Sequence, residues 1–333
     1  ILTHFVKDLG VGVVGGCCGT TAEHLRQVVA SVGGLAPAGR NVDFVPSASS
    51  LYQSVPLSIE QPPVLVGERT NANGSKLFRD LLAREDWEGI VAMGKEAARE
   101  GAHMVDVCAA YVGRDEIRDM REIISRFNTQ VPLPIVIDST EVPVMEEALR
   151  HIAGKPVINS INMEDGEERM SKVLTLCRRY GAAVIALTID EQGMAKTAER
   201  KLAVARRIHG IATTRFGLKP HDLIFDALTF TLGSGDEEFR RAAIETMDAI
   251  RLIKKELPGV HTILGVSNIS FGLSPVSRHA VNSVFLHHAI EAGLDLAIVH
   301  AAKIVPLYTL EERGRELARA LVFDERRYEE AAP

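Results

Sequence analysis

The chain has 333 residues, 46% of them hydrophobic and 25% charged, with few aromatics. That is a globular composition, sufficient for one large domain or two ordinary ones. A formal charge of -6 excludes a broad nucleic-acid-binding face, which needs a basic surface, and no apolar run approaches the ~18 residues of a membrane span.

No charged-then-apolar leader opens the sequence, so no secretory signal is expected in it. Of the four cysteines, Cys17, Cys18, Cys108 and Cys177, only the first two are close in sequence, and neighbours rarely bridge. The pattern suits a reducing compartment, and the cytoplasm is the expected location.

In chain order, residues 1–32 read as the end of a folded unit. "LGVGVVGG" (9–16) is strand-like, and Thr21 is placed to cap a helix over "AEHLRQVVASV". Residues 33–63 are rich in Pro, Ser, Gly and Ala without a helical period, and predict an extended linker.

A different rhythm starts at residue 64. Short β-branched runs at 64–66, 103–107, 134–138, 156–159, 183–189, 223–227, 262–267 and 294–299 alternate with amphipathic stretches such as "VMEEALRHIAG". Strand–helix units repeated in this way predict a (β/α)8 TIM barrel over 64–325, ending in a charged helix, with 326–333 as a tail toward a further module. An open doubly wound sheet alternates similarly, but the glycine-rich turn of a dinucleotide site is missing.

In a barrel the C-terminal strand ends share one mouth. That register places Glu68, Asp106, Asp138, Asn159, Asp190, Asp226, Asn268 and His300 there. A single acid at a strand end is usually a turn or cap residue; eight polar ends around one rim are not. Of these, Asp190 and its neighbour Glu191 are suited to positioning a loop, and His300 to a satisfied core site. The rim offers oxygen to a hard cation, but it has no His-x-His pair, and Asn159 and Asn268 are weak metal ligands that both donate and accept. Carboxylates mixed with amides suit a flat heterocycle with N–H and C=O edges, such as a pterin.

The stretches "VGERTNANGS" (66–75), "DVCAA" (106–110), "PIVIDST" (134–140), "VINSIN" (157–162), "LTIDEQGMA" (187–195), "LIFDALTF" (223–230) and "GVSNISFGL" (265–273) resemble, in order, those of the pterin-binding methyltransferase family. In particular they resemble the methyltetrahydrofolate-binding module of cobalamin-dependent methionine synthases. The resemblance implies transfer of the N5 methyl of 5-methyltetrahydrofolate to cob(I)alamin held by a partner domain of the same protein, with no nucleic-acid or membrane partner. It implies pterin contacts from Glu68, Asp106, Asp138, Asn159, Asp226 and Asn268. Asp226 would take the amino-pyrimidinone edge, and Asp138 and Asn159 the rest of the ring. Asn268 would lie near N5, sharing the catalytic role with Asp138, while Arg278 would meet the substrate or the partner's cofactor. Cys108 departs from the family pattern, standing where a DxN-type motif has Asn.

"GVGVVGGCCGTT" resembles the end of the zinc- and homocysteine-binding module that precedes the folate module in that family. There two adjacent cysteines and a third, upstream, hold zinc. No cysteine precedes Cys17 here, so residues 1–32 are expected to be a remnant of that module, with Cys17 and Cys18 left over from an incomplete site and zinc not expected. The competing implications are a corrinoid-protein methyltetrahydrofolate methyltransferase, a dihydropteroate synthase-like transferase, and a folate-binding module inactive without its cobalamin domain.

Overall fold

The computed structural model describes residues 1–41 and 43–325. It divides into two compact units, Ile1–Val45 and Pro46–Pro333; the expected tail, 326–333, lies outside the described residues.

In the first unit, helices span Leu2–Lys7 and Ala22–Val32. Thr21 caps the second as predicted, with the His24 side chain turned back to the Thr21 backbone N–H in a capping box. "LGVGVVGG" does not form a strand. A strand needs a neighbour for its backbone groups, and the described residues around it are helix and turn. Cys17 and Cys18 are exposed thiols on a turn closed by the Thr20 N–H to the Cys17 carbonyl at 2.9 Å.

The second unit is a closed barrel of eight parallel strands, the fold the alternation predicts. They are β1 (Val64–Gly67), β2 (Met104–Val107), β3 (Ile135–Asp138), β4 (Val157–Ile161), β5 (Ala183–Leu187), β6 (Leu223–Asp226), β7 (His261–Gly265) and β8 (Leu296–Val299). Each overlaps one of the eight predicted runs, to within two residues at the ends where it extends beyond one. Every strand pairs with its sequence neighbour, and β8 closes on β1, with Leu296 opposite Val64 and Val299 opposite Gly67.

The strands hold together through two sets of apolar residues. One set faces outward into the helices, where Phe78, Phe127 and Phe225 are fully buried. The other fills the barrel: Val64, Val66, Met104, Val136, Val157, Ile224, Ile263 and Leu296 form one cluster. Side chains alternate along a strand with a period of two. Two positions on from Met104, Val136, Val157 and Ile224 stand Asp106, Asp138, Asn159 and Asp226. The register that sends four apolar side chains into the interior therefore sends four polar ones to the same side one layer higher, at the mouth.

Part of the expected linker is structured. Residues Ser47–Ser49 and Ser54–Pro56 form an antiparallel hairpin. Its Ala48 and Val55, with Leu57 just beyond, are buried in the barrel's interior cluster. The Tyr52 hydroxyl donates to the Thr129 carbonyl at 2.7 Å, and Ser50 Oγ to that of Pro132 at 2.6 Å. The hairpin packs on the layer formed by the strand starts, opposite the mouth, so the barrel unit begins at Pro46 rather than at 64. The Ser and Pro content that suggests a linker is outweighed by these apolar residues, which the open lower end of the barrel buries. Leu57→Ala should lower stability by about 2–5 kcal/mol in urea denaturation; an unstructured linker would leave it unchanged.

Candidate active site at the barrel mouth

Asp106 and Asp138 end neighbouring strands. The Asn71 amide lies between them and donates to Asp106 Oδ2 and Asp138 Oδ2, each at 2.7 Å. Its orientation is fixed from behind, because Asn71 Oδ1 accepts the Asn73 backbone N–H at 2.8 Å. Only the amide's N–H groups are left to face the acids. Asn71 reaches this position through a backbone bridge to Cys108 beyond the end of β2, and Thr70 Oγ1 ties the same loop to the Asp106 carbonyl at 2.5 Å.

Asp106 Oδ1 is buried without a hydrogen-bond partner. Burial first, then repulsion from Asp138, push the Asp106 carboxyl well above its ordinary range, against the pull of the Asn71 and Asn159 amides. Burial also raises Asp138 to about 6, with Asn71 pulling back and Glu116 pushing further. Asn159 lies opposite Asp138 in the β3–β4 register.

Asp226 closes β6 across the mouth. Burial raises it to about 6, opposed by the Leu228 backbone N–H and the charge of Lys201. The Leu228 N–H donates to Asp226 Oδ1 at 2.7 Å. Glu68, just after β1, accepts the Ser267 hydroxyl at 3.3 and 3.4 Å, which links the first strand end to the seventh. Burial lifts the Glu68 carboxyl, against Ser267, Lys303 and Arg278. Asn268 is exposed in the short helical turn Val266–Ser270 that follows β7. Arg278 donates from Nε to Ser270 Oγ at 3.2 Å and lies over the Phe271 ring at 5.6 Å.

Asp190 is engaged elsewhere: it accepts the Gln192 N–H at 3.0 Å and pairs with Arg200, so it shapes the loop after β5. His300 is not the satisfied core histidine expected from sequence, because its Nδ1 is buried without a hydrogen-bond partner and lies 3.9 Å from Glu100, whose carboxylate accepts from Arg69 at 2.9 Å instead. Cys108 is buried, its thiol pushed up to about 12 mainly by burial; it stays protonated and accepts a weak bond from the Asn73 amide at 3.5 Å.

The strand-end register overlooks Asn71, which lies in a loop three residues beyond Glu68. The signal was present, since Asn71 belongs to the quoted "GERTN". Lys201 was also missed. It shares one helical stripe with Ala205, Ile208 and Ala212, all buried, so its spacing alone marked it as an inward-facing charge.

The donor set argues against a divalent cation between Asp106 and Asp138, because amide hydrogens already occupy the position a bridging ion would take. What the site has in surplus is open acceptors: Asp106 Oδ1, buried without a partner, and Asp226 Oδ2, for which no hydrogen bond is found among the described residues, on a half-buried carboxylate whose Oδ1 is taken by Leu228. Such a site favours a ligand rich in N–H donors. Elsewhere among the described residues, the one grouping with metal-ligand spacing is His287, His288 and Glu291, on the surface of a helix.

A family model described as "Pterin binding enzyme" matches residues 67–300, which includes every strand end described above. The chain belongs to the pterin-binding enzyme family. It is 48% identical to a methionine synthase of Mycobacterium leprae over 98% of its length, and 47% identical to that of Mycobacterium tuberculosis, also over 98%. It spans 28% of the length of each of these relatives. Among solved structures, a dihydropteroate synthase of Xanthomonas albilineans superposes with a TM-score of 0.57 at 18% identity, covering 78% of this chain and 94% of that one. One from Stenotrophomonas maltophilia gives 0.53 at 19%, covering 84% and 96%. At that identity the likeness concerns the barrel fold alone. No described helix of this pterin-binding barrel is long and apolar enough to cross a membrane.

A pH dependence follows from Asp138. Its carboxyl lies at about 6 in the folded chain, against an ordinary 3.8, so between those values the folded state binds the extra proton. Stability from this group therefore grows as pH falls through that window and is lost as pH rises. Asp138→Asn, which keeps an acceptor for Asn71, should stabilise the ligand-free barrel by about 1–3 kcal/mol at pH 7.5. The gain should vanish below pH 4, as read by urea denaturation across pH.

Proposed function

We propose that the barrel binds the pterin ring of 5-methyltetrahydrofolate in its mouth and presents the N5 methyl group to cob(I)alamin carried by another module of a longer protein. The observation that carries this reading is the pair of open carboxylate acceptors at the strand ends, Asp106 Oδ1 and Asp226 Oδ2. Membership of the pterin-binding family and the similarity to two methionine synthases support it.

Asp226 accepts the amino-pyrimidinone edge through its free oxygen, Asp138 and Asn159 serve the rest of the ring, and Asp106 Oδ1 gains the partner it lacks. Glu68, held by Ser267, borders the opposite side. Cob(I)alamin, held by the other module, would supply the electron pair for the new bond to the methyl carbon. The N5–methyl bond breaks with its pair left on N5. A neutral amine that leaves as an amide anion is a very poor leaving group, so N5 must carry a proton by the transition state. Asn268 stabilises the positive charge as it develops there, since an amide oxygen accepts an N–H without acting as an acid. Asp138, whose raised value keeps it near its titration point, feeds the same network. Asn268 is exposed, in keeping with a group that must meet both the folate and an incoming module. Arg278 borders the same face. In this reading residues 1–32 are the end of a neighbouring module.

The test is titration with 5-methyltetrahydrofolate, followed by mixing with free cob(I)alamin and recording the cobalamin spectrum. Asp226→Asn should weaken folate binding at least about tenfold, because a donor then confronts a donor. Asn268→Ala should slow methyl transfer by about 10- to 100-fold while changing affinity much less. No affinity for reduced folates in the wild-type chain, or tight binding of a pterin diphosphate instead, would overturn the reading.

A further inference from the structure

Lys201 is the one lysine among the described residues that is completely buried. It lies on the helix Ala198–Thr214, which follows β5, yet its ammonium is spent on the loop that follows β6. Nζ donates to the carbonyls of Ala227 and Leu228, the latter at 3.0 Å, and to Thr246 Oγ1 at 3.1 Å. An ammonium has three N–H donors, and here each has an acceptor. Thr246 Oγ1 in turn donates to the Leu228 carbonyl at 2.8 Å, and the Phe230 ring lies 5.2 Å from the charge.

The loop held in this way is bent. Leu228 has φ of +59°, a left-handed conformation that costs a side-chain-bearing residue about 1 kcal/mol or more. That bend directs the Leu228 N–H onto Asp226 Oδ1 at 2.7 Å. The chain of contacts runs from the ammonium to two carbonyls, from the carbonyls to the bent backbone, and from the backbone N–H to one carboxylate oxygen. The other oxygen is left for a ligand.

We propose that Lys201 is a positioning residue for Asp226: its buried ammonium holds the 227–228 loop in the conformation that aims the carboxylate into the mouth. This deepens the folate-binding reading and rests on it for the identity of the ligand. The charged groups that face Lys201 are Asp226 and Glu245, the latter from the helix Ala242–Glu256. Lys201 is the cation that faces Asp226. Burial draws the ammonium down to about 8, so it is still mainly charged at neutral pH.

Lys201→Met keeps the length and apolar stem but removes the charge and all three donors. In the ligand-free chain labelled with carbon-13 aspartate, the resonance lost in Asp226→Asn identifies Asp226. Its titration midpoint should rise by about one unit in Lys201→Met, and 5-methyltetrahydrofolate affinity at pH 7.5 should fall about tenfold or more. A residue that only filled space would lower the melting temperature and leave that midpoint unmoved. An unmoved midpoint in a folded variant overturns the proposal. Should Lys201→Met not fold, Thr246→Val removes one partner of the ammonium and one donor to the Leu228 carbonyl. It should weaken folate binding severalfold and move the Asp226 midpoint, and no change in either overturns the proposal. A wild-type chain without folate affinity defeats the functional reading alone, since the titration of Asp226 decides the role of Lys201 without ligand.

Discussion

Carboxylates are held out of water at the end of a hydrophobic barrel with too few protein donors to satisfy them. Asp106 keeps one oxygen buried and unpaired, and burial is the leading reason that Asp138 and Asp226 both sit near 6. Left alone, such groups weaken a fold, because a buried acceptor without a partner forfeits its hydration. They become favourable when a ligand brings N–H groups to them. The barrel thus gives up some stability at its mouth, the trade-off expected where binding and stability depend on the same residues.

The rest of the second unit answers that cost. Below the polar layer, the same inward-facing register buries Met104, Val136, Val157 and Ile224, and the hairpin of residues 47–56 seals the lower end with Ala48 and Val55. Above it, each acid is steadied from a neighbouring loop: Asn71 bridges Asp106 and Asp138, Ser267 holds Glu68, and the bent backbone at Leu228 holds Asp226. These supports come from side chains and backbone groups that do not end strands. They set the directions of the acids, on which recognition of a flat ring depends, since its donors lie in one plane.

Much of this was legible from the sequence. The eight strands fall where the β-branched runs place them, because a parallel barrel buries both faces of each strand and so leaves continuous apolar signatures. The strand-end acids follow from the period of two. Two expectations differ from the structure. "LGVGVVGG" has the residues of a strand but finds no partner in its unit, and residues 47–56 have the residues of a linker but find an open barrel end to fill. Each was decided by what lies beside the segment, which local composition does not encode. Asp190 shows the same limit from the other side: at a strand end it reads as a site residue, yet Arg200, one turn into the next helix, takes its carboxylate.

What the sequence by itself determined is the alternation of strand and helix, the layer of acids and amides at the strand ends, and the motifs that carry the family likeness. These are local properties, set by side-chain period and residue type along a single segment. What only the tertiary structure decided is which of those acids are free to meet a ligand and which are engaged by the protein, and that Asn71 and Lys201 orient the ones that are free. Those outcomes depend on contacts between residues distant in sequence, such as Lys201 with Thr246, 45 positions apart, and Asn71 with Asp138, 67 apart. Closing the barrel creates those distances, so they have no counterpart in any one stretch of chain.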